Sequence, residues 1–139
     1  MEQPRVLFDY HGELPECPTW DADHQTLYWT DILRQEIHHY QPHSGEHGVM
    51  HFAEEVGCFA LRKRGGLIVA MRSAIWLTDG EGRLTQKVCD NPNNPQLARF
   101  NDGGTDGQGR FYAGTYWGPR DYNAALLCRV DADLQTTVL

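Results

Sequence analysis

Residues 98–116 read Ala98-Arg99-Phe100-Asn101-Asp102-Gly103-Gly104-Thr105-Asp106-Gly107-Gln108-Gly109-Arg110-Phe111-Tyr112-Ala113-Gly114-Thr115-Tyr116. Glycine and aspartate fill the middle, Thr105–Gly109, and mark a tight turn, because glycine tolerates positive φ and aspartate bonds its own backbone. The apolar and aromatic run Phe111–Ala113 that follows has the composition of a strand. The stretch is therefore a hairpin whose first arm carries a cation and a carboxamide, Arg99 and Asn101, where an ordinary strand carries Val or Ile. One pleat apart, those two side chains project from the same face. Arg99 can hold an anionic or strongly polar oxygen, and Asn101 can donate and accept at once. Two readings follow: polar groups waiting for a ligand, or an exposed loop whose side chains are solvated.

Outward from this hairpin, turn signals arrive about every 8–12 residues and separate short runs of β-forming residues. Those runs are Val6–Asp9, Thr26–Thr30, Gly48–Phe52, Cys58–Arg62, Leu67–Met71, Ala74–Leu77, Arg110–Ala113, Leu126–Val130 and Thr136–Leu139. The chain reads as all-β. A short strand, a turn and an aromatic strand recur at Pro18–Asp31, Phe59–Met71 and Asn101–Thr115. Aligning Leu27, Leu67 and Phe111 gives a period of about 40–44 residues, that of propeller blades built from four antiparallel strands. The expectation is one partial β-propeller domain over residues 1–139, with three blades at roughly 10–53, 54–96 and 97–139. Three blades do not close a ring, since propellers normally have about four to eight. The sequence is thus expected to be a piece of a longer chain, or to form a homodimer that completes the propeller. Val6–Asp9 has no blade of its own and would need a partner strand from elsewhere.

At 139 residues the chain is long enough for one domain with a sizeable core. Twelve Lys and Arg against 19 Asp and Glu give a formal net charge of −7. That balance argues against nucleic acid and against an anionic membrane surface as partners. The start Met1-Glu2-Gln3-Pro4-Arg5 lacks the apolar core of a signal peptide, and no run is long enough to span a bilayer. A cytoplasmic protein is expected. Cys17, Cys58, Cys89 and Cys128 lie far apart with no Cys-x-x-Cys pair, so they read as buried free thiols rather than a zinc site.

Glu16 is a candidate metal ligand. A carboxylate ahead of a blade's inner strand points along the propeller's central channel, where oxygen ligands converge on a hard cation. A surface glutamate between prolines is the alternative. His39, His43, His47 and His51 recur at every fourth position beside His38, but Pro42, Gly45 and Gly48 exclude a helix there. They are expected on the solvated outer hairpin of the first blade. Trp20, Trp29 and Trp76 are expected to pack between blades, and Trp117 either packs or forms a sugar-stacking platform.

Glu16-Cys17-Pro18-Thr19-Trp20-Asp21, followed by Leu27-Tyr28-Trp29-Thr30-Asp31-Ile32, resembles the opening blade of the regucalcin (senescence marker protein), gluconolactonase and luciferin-regenerating enzyme family. Arg99–Gly103 and Asp106–Thr115 are similar to that family's most characteristic stretch. The resemblance implies a six-bladed propeller with one divalent cation on its axis (calcium, zinc, manganese or magnesium) and hydrolysis of sugar lactones. It makes Glu16 a metal ligand and Arg99 and Asn101 binders of substrate oxygens, with Asp102 shaping the turn and bracing Asn101. The family's remaining metal ligands, and its usual general base, would lie beyond Leu139, so no catalytic residue is assigned. Where animal members carry an acidic residue that contacts substrate, this chain has Tyr116-Trp117-Gly118-Pro119. The resemblance leaves two functions open: a metal-dependent sugar lactone hydrolase with a partly encoded site, or a non-catalytic half-propeller acting as a binding or assembly module.

Overall fold

The computed structural model describes residues 3–139. Twelve strands form three four-stranded antiparallel sheets, each in simple sequence order. The first sheet holds β1 (Pro15–Asp21), β2 (Thr26–Asp31), β3 (Glu36–Gln41) and β4 (Glu46–His51). The second holds β5 (Val56–Leu61), β6 (Leu67–Met71), β7 (Ala74–Thr78) and β8 (Leu84–Asp90). The third holds β9 (Ala98–Thr105), β10 (Phe111–Trp117), β11 (Leu127–Val130) and β12 (Thr136–Val138). The first strands of the sheets, β1, β5 and β9, lie beside one another, so the sheets radiate from a common inner wall. These are propeller blades, as the sequence indicates.

Side-chain alternation explains the stacking. In β6, Leu67, Val69 and Met71 face blade one and join Ile37, Met50, Val56 and Phe59. Ile68 and Ala70 face blade three and join Cys58, Ile75, Leu77, Phe100, Phe111, Ala113, Cys128 and Val130. A strand covered on both faces reads as a continuous apolar run, and Leu67–Met71 is buried at every position. The fully buried Thr30 hydroxyl lies 2.8 Å from the Val56 carbonyl and links blades one and two. The blade repeat is offset by one residue from the sequence alignment in blade one. Thr26 opposes Asp21 at the strand end as Leu67 opposes Leu61 and Phe111 opposes Thr105.

The inner strands share one irregularity. The register shifts between Glu16 and Thr19 in β1, between Val56 and Cys58 in β5, and opposite Ala113–Thr115 in β9. Such bulges bend a strand and re-aim its side chains. Gly57 sits at the middle bulge, where a Cβ would come 2.1 Å from the Phe100 carbonyl oxygen. Only a residue without a side chain lets β5 approach β9 this closely.

Val6–Asp9 is not a strand. The segment folds over the open face of blade one and buries rings instead. Phe8 lies 4.7 Å from the Tyr40 ring, and Tyr10 lies 5.3 Å from Trp29 and 4.7 Å from His38. This overturns two further expectations. Trp29 is buried under the N-terminal segment, on the blade-one face turned away from blade two, whereas Trp76 does pack between blades one and two. Trp20 is half exposed. The histidines do fall on the β3–β4 hairpin, and His43, His47 and His51 are exposed, but His38 is buried. It packs against Trp29 with His47 beside it, the two imidazoles 3.0 Å apart between nitrogens, because its place on the pleat faces the covered side.

Beneath that segment is a polar network. Asp31, fully buried, accepts from the Tyr10 hydroxyl at 2.7 Å and from the backbone of Glu13 and Leu14 at 2.9 and 3.0 Å. Burial pushes the Asp31 carboxyl up, but these donors outweigh it and hold it below the usual range. The Tyr10 hydroxyl is pushed up to about 12 by burial and by Asp31. Burial holds the His38 imidazole below its ordinary value, against the opposing pull of Glu36 on the same strand. His47 on β4 adds to the lowering, and Asp31 on β2 opposes it. A histidine whose pKa is depressed by folding takes up a proton more readily in the unfolded chain. Stability is therefore fully present above about pH 6.5 and falls as pH drops below it toward the depressed folded value. Asp31 adds a second loss at lower pH, below the ordinary carboxylate range. Thermal unfolding between pH 7.5 and 5.5 is expected to show a falling midpoint, and His38→Phe to flatten that slope. An unchanged slope in the variant contradicts the assignment.

Candidate functional site

The three candidate residues lie toward the beginnings of the inner strands. Glu16 stands at the β1 bulge, followed by Cys17 at φ 54°, a left-handed backbone that L residues rarely adopt. The Glu16 side chain is exposed, and among the described residues it forms no ion pair. Asn101 and Asp102 occupy the β9 bulge opposite Gly114 and are exposed. Arg99 is half-buried one pleat earlier. The structure brings Arg99 and Asn101 into contact: Nη1 of Arg99 donates to Asn101 Oδ1 at 2.8 Å and to the Phe100 carbonyl at 3.0 Å. Asp102 accepts from the Gly103 amide at 2.8 Å and shapes its own turn. Arg99, not Asp102, braces Asn101.

Burial pushes the Arg99 guanidinium down, Glu55 opposes this and Arg72 adds to it. Glu55 is otherwise engaged, because Arg72 Nε and Nη2 donate to its two oxygens at 2.7 Å each. Among the described residues Arg99 is therefore a partly desolvated cation with no carboxylate in ion-pair contact. Its guanidinium carbon lies 5.4 Å from the centre of the Tyr116 ring, the residue directly opposite it in the β9–β10 ladder. Arg120 lies over the same ring at 5.3 Å, and its Nε donates to the Tyr116 hydroxyl at 2.9 Å. Sequence reasoning passed over both residues. The strand alternation that pairs Tyr116 with Arg99 could have found the first. Arg120 sits in a loop with no periodic signal.

Two hollows open along the structure. One of about 430 Å³ runs down the inner wall and is lined by Cys17, Thr19, Phe59, Asp102 and Gly103. The larger, about 700 Å³, lies at the opposite end, between the turns at Arg62–Arg64 and Asp106–Gly109. Its floor of Ile68, Leu77, Phe111 and Val130 is the gap between two blades. Glu16, Arg99 and Asn101 line neither hollow, and Asp102 lines the smaller one.

Among the described residues no three His, Cys, Asp or Glu side chains converge as a metal site. Zinc takes about four ligands and calcium about six to eight oxygens, so Glu16 alone does not fit a resident ion. Cys58 and Cys128 are buried free thiols, while Cys17 and Cys89 are half-buried and also free.

The chain is 47% identical to a 6-deoxy-6-sulfogluconolactonase of Pseudomonas putida over all of its length and 45% of the relative's. It is 31% identical to a pentonolactonase of Haloferax volcanii, again over its whole length and 46% of that protein. A crystal structure described as a calcium-binding protein, regucalcin, from Agrobacterium tumefaciens superposes on 97% of the chain with a TM-score of 0.86 at 26% identity, covering 45% of that structure. The chain thus spans less than half the length of these proteins. Among the described residues no helix is long and apolar enough to cross a membrane. Residues 14–139 match the family described as SMP-30/Gluconolactonase/LRE-like region, and the chain belongs to that family.

Proposed function

We propose that this chain supplies the substrate-holding half of a sugar lactone hydrolase. The observation that carries the reading is the Arg99–Asn101 pair, a partly desolvated cation hydrogen-bonded to a carboxamide near the start of the inner strand β9. Hydrolysis adds water to the lactone carbonyl, breaks the ring ester bond and releases an aldonic acid. Arg99 and Asn101 hold substrate oxygens and orient the ring, their donors fixed before the lactone arrives. The names of the Pseudomonas and Haloferax relatives support a lactone as the small-molecule substrate. The four free thiols support a reducing, cytoplasmic location.

Glu16 is our candidate ligand for a divalent ion, a reading supported by the calcium-binding description of the Agrobacterium protein. The remaining ligands and the general base have to come from residues other than those described, through further blades of a longer polypeptide or a second copy of this chain. The half-length match also favours a second reading, a non-catalytic half-propeller that binds or assembles without turnover.

Gluconolactone hydrolysis followed by acid release, with calcium, zinc, manganese or magnesium and with chelator as control, separates the two. Turnover in a homogeneous sample supports the hydrolase, and silence in every metal leaves the binding module. With one carboxylate, the chain alone binds calcium too weakly to be stabilised by it. One millimolar calcium is expected to move the melting temperature by less than about 1 °C, and a rise of several degrees would mean that a fuller ligand set forms.

A further inference from the structure

We propose that Arg120, together with Arg99 about the Tyr116 ring, forms a cationic cradle that selects a sugar bearing an oxyanion substituent remote from its reacting carbonyl. The proposal rests on the sugar lactone reading above and names which lactones the site prefers.

Both guanidinium carbons lie within 5.4 Å of one ring centroid in a chain whose formal net charge is −7. Among the described residues neither arginine is in an ion pair. The one carboxylate next to Arg120 in sequence, Asp121, is turned elsewhere: the Trp117 indole donates to it at 2.7 Å. Glu55, the carboxylate that most affects Arg99, is held by Arg72 through two 2.7 Å bonds. Two guanidinium groups therefore meet about one ring, and among the described residues no carboxylate is in ion-pair contact with either. A guanidinium with free N–H groups beside an aromatic ring suits a sulfonate, phosphate or carboxylate, which it can engage through paired hydrogen bonds.

The loop is built to keep Arg120 in place. Arg120 itself sits at φ 56°, a conformation a non-glycine residue holds only when its surroundings impose it. The two ends of the loop that carries the exposed Arg120 are anchored. Gly118 donates to the Leu97 carbonyl at 2.8 Å, the Leu126 amide to Thr115 Oγ1 at 2.8 Å, and Asn93 Nδ2 to the Ala124 carbonyl at 2.9 Å. Arg120 Nε is committed to the Tyr116 hydroxyl, so its terminal nitrogens are the donors offered to a ligand. Through the Tyr116↔Arg99 pair the cradle adjoins Asn101. A sugar with its carbonyl at Asn101 would place a substituent on its far carbon toward Arg120.

The test is calorimetric titration of the chain with glucose, glucose 6-phosphate and 6-deoxy-6-sulfoglucose, repeated for Arg120→Gln, Arg120→Lys and Tyr116→Phe. At least one anionic sugar is expected to bind about tenfold or more tightly than glucose, with the preference shrinking as salt is raised. Arg120→Gln reduces the preference to within about twofold, Arg120→Lys keeps part of it, and Tyr116→Phe, which removes only the hydroxyl that ties Arg120, lowers it in part. Which anion binds more tightly identifies phosphate or sulfonate as the substituent. Equal affinity for all three sugars, or no binding of any, overturns the cradle, as does a preference that survives Arg120→Gln. Because the readout is binding, a chain that shows the preference but never hydrolyses a lactone loses the hydrolase reading alone. A chain that hydrolyses lactones without the preference loses the cradle alone.

Discussion

Replacing Arg99 with alanine is expected to weaken binding of D-gluconolactam, a lactone analogue that does not hydrolyse, by roughly 10- to 100-fold. That range corresponds to losing one charged hydrogen-bonding group, about 1.5–3 kcal/mol. The effect exceeds that of a single lost contact with the sugar because Arg99 also donates to Asn101 Oδ1 at 2.8 Å and to the Phe100 carbonyl at 3.0 Å. Without the guanidinium, Asn101 is free to rotate, and both ligand-facing groups lose their arrangement at once. Asn101→Ala alone is expected to cost about fivefold, since a neutral hydrogen bond is worth about 1 kcal/mol. The double variant should then lose less than the sum of the two, the signature of residues that act as a unit. Calorimetric titration of the four proteins checks all three statements. Affinity unchanged by Arg99→Ala contradicts the site. Asn101 is exposed, so Asn101→Ala should not lower the melting temperature by more than a few degrees.

The largest effect on stability is expected from Gly57→Ala. The added methyl would meet the Phe100 carbonyl oxygen at 2.1 Å, its carbon at 2.4 Å and the Asn101 amide nitrogen at 2.8 Å. All three are backbone atoms of β9, so no flexible side chain can give way. Overpacking of this kind costs about 3 kcal/mol, which is roughly a 10 °C fall in melting temperature for a domain of this size. The clash also pushes on the backbone that carries Arg99 and Asn101, so lactam affinity should fall with stability. Gly104→Ala is the control. It lies on the same strand with nothing within 4 Å of its would-be Cβ, and it should leave both quantities nearly unchanged. Equal melting temperatures for the two variants would mean that β5 and β9 are not in close contact.

Most of the architecture was legible because its signals are local. Leu67–Met71 is apolar at every residue since it is covered on both faces, and the turn Asp106-Gly107-Gln108-Gly109 marks the hairpin between β9 and β10. β3 escaped notice because Glu36-Ile37-His38-His39-Tyr40-Gln41 has one aliphatic residue, Ile37, which packs toward blade two, while His38 on the other face is covered by rings of the N-terminal segment. For the same reason Trp29 and His38 were misplaced, and Val6–Asp9 was read as a strand. Propensity describes the residue, whereas an edge to pair with is a property of the fold. At the candidate site, the pleat alone put Arg99 and Asn101 on one face. The bulges that set Glu16 and Asn101 on the inner wall, and the loop strain that delivers Arg120 to Tyr116, depend on backbone geometry for which the sequence carries no pattern.

The most direct test of the central claim is to map where a sugar lactone binds. Isotope-labelled chain titrated with D-gluconolactam should show chemical-shift changes confined to Arg99 Nε, the Asn101 side-chain amide and the backbone around Glu16 and Tyr116. Changes centred instead on Arg62–Arg64 and Gly107–Gly109, at the larger hollow on the opposite end, or no changes at all, would contradict it.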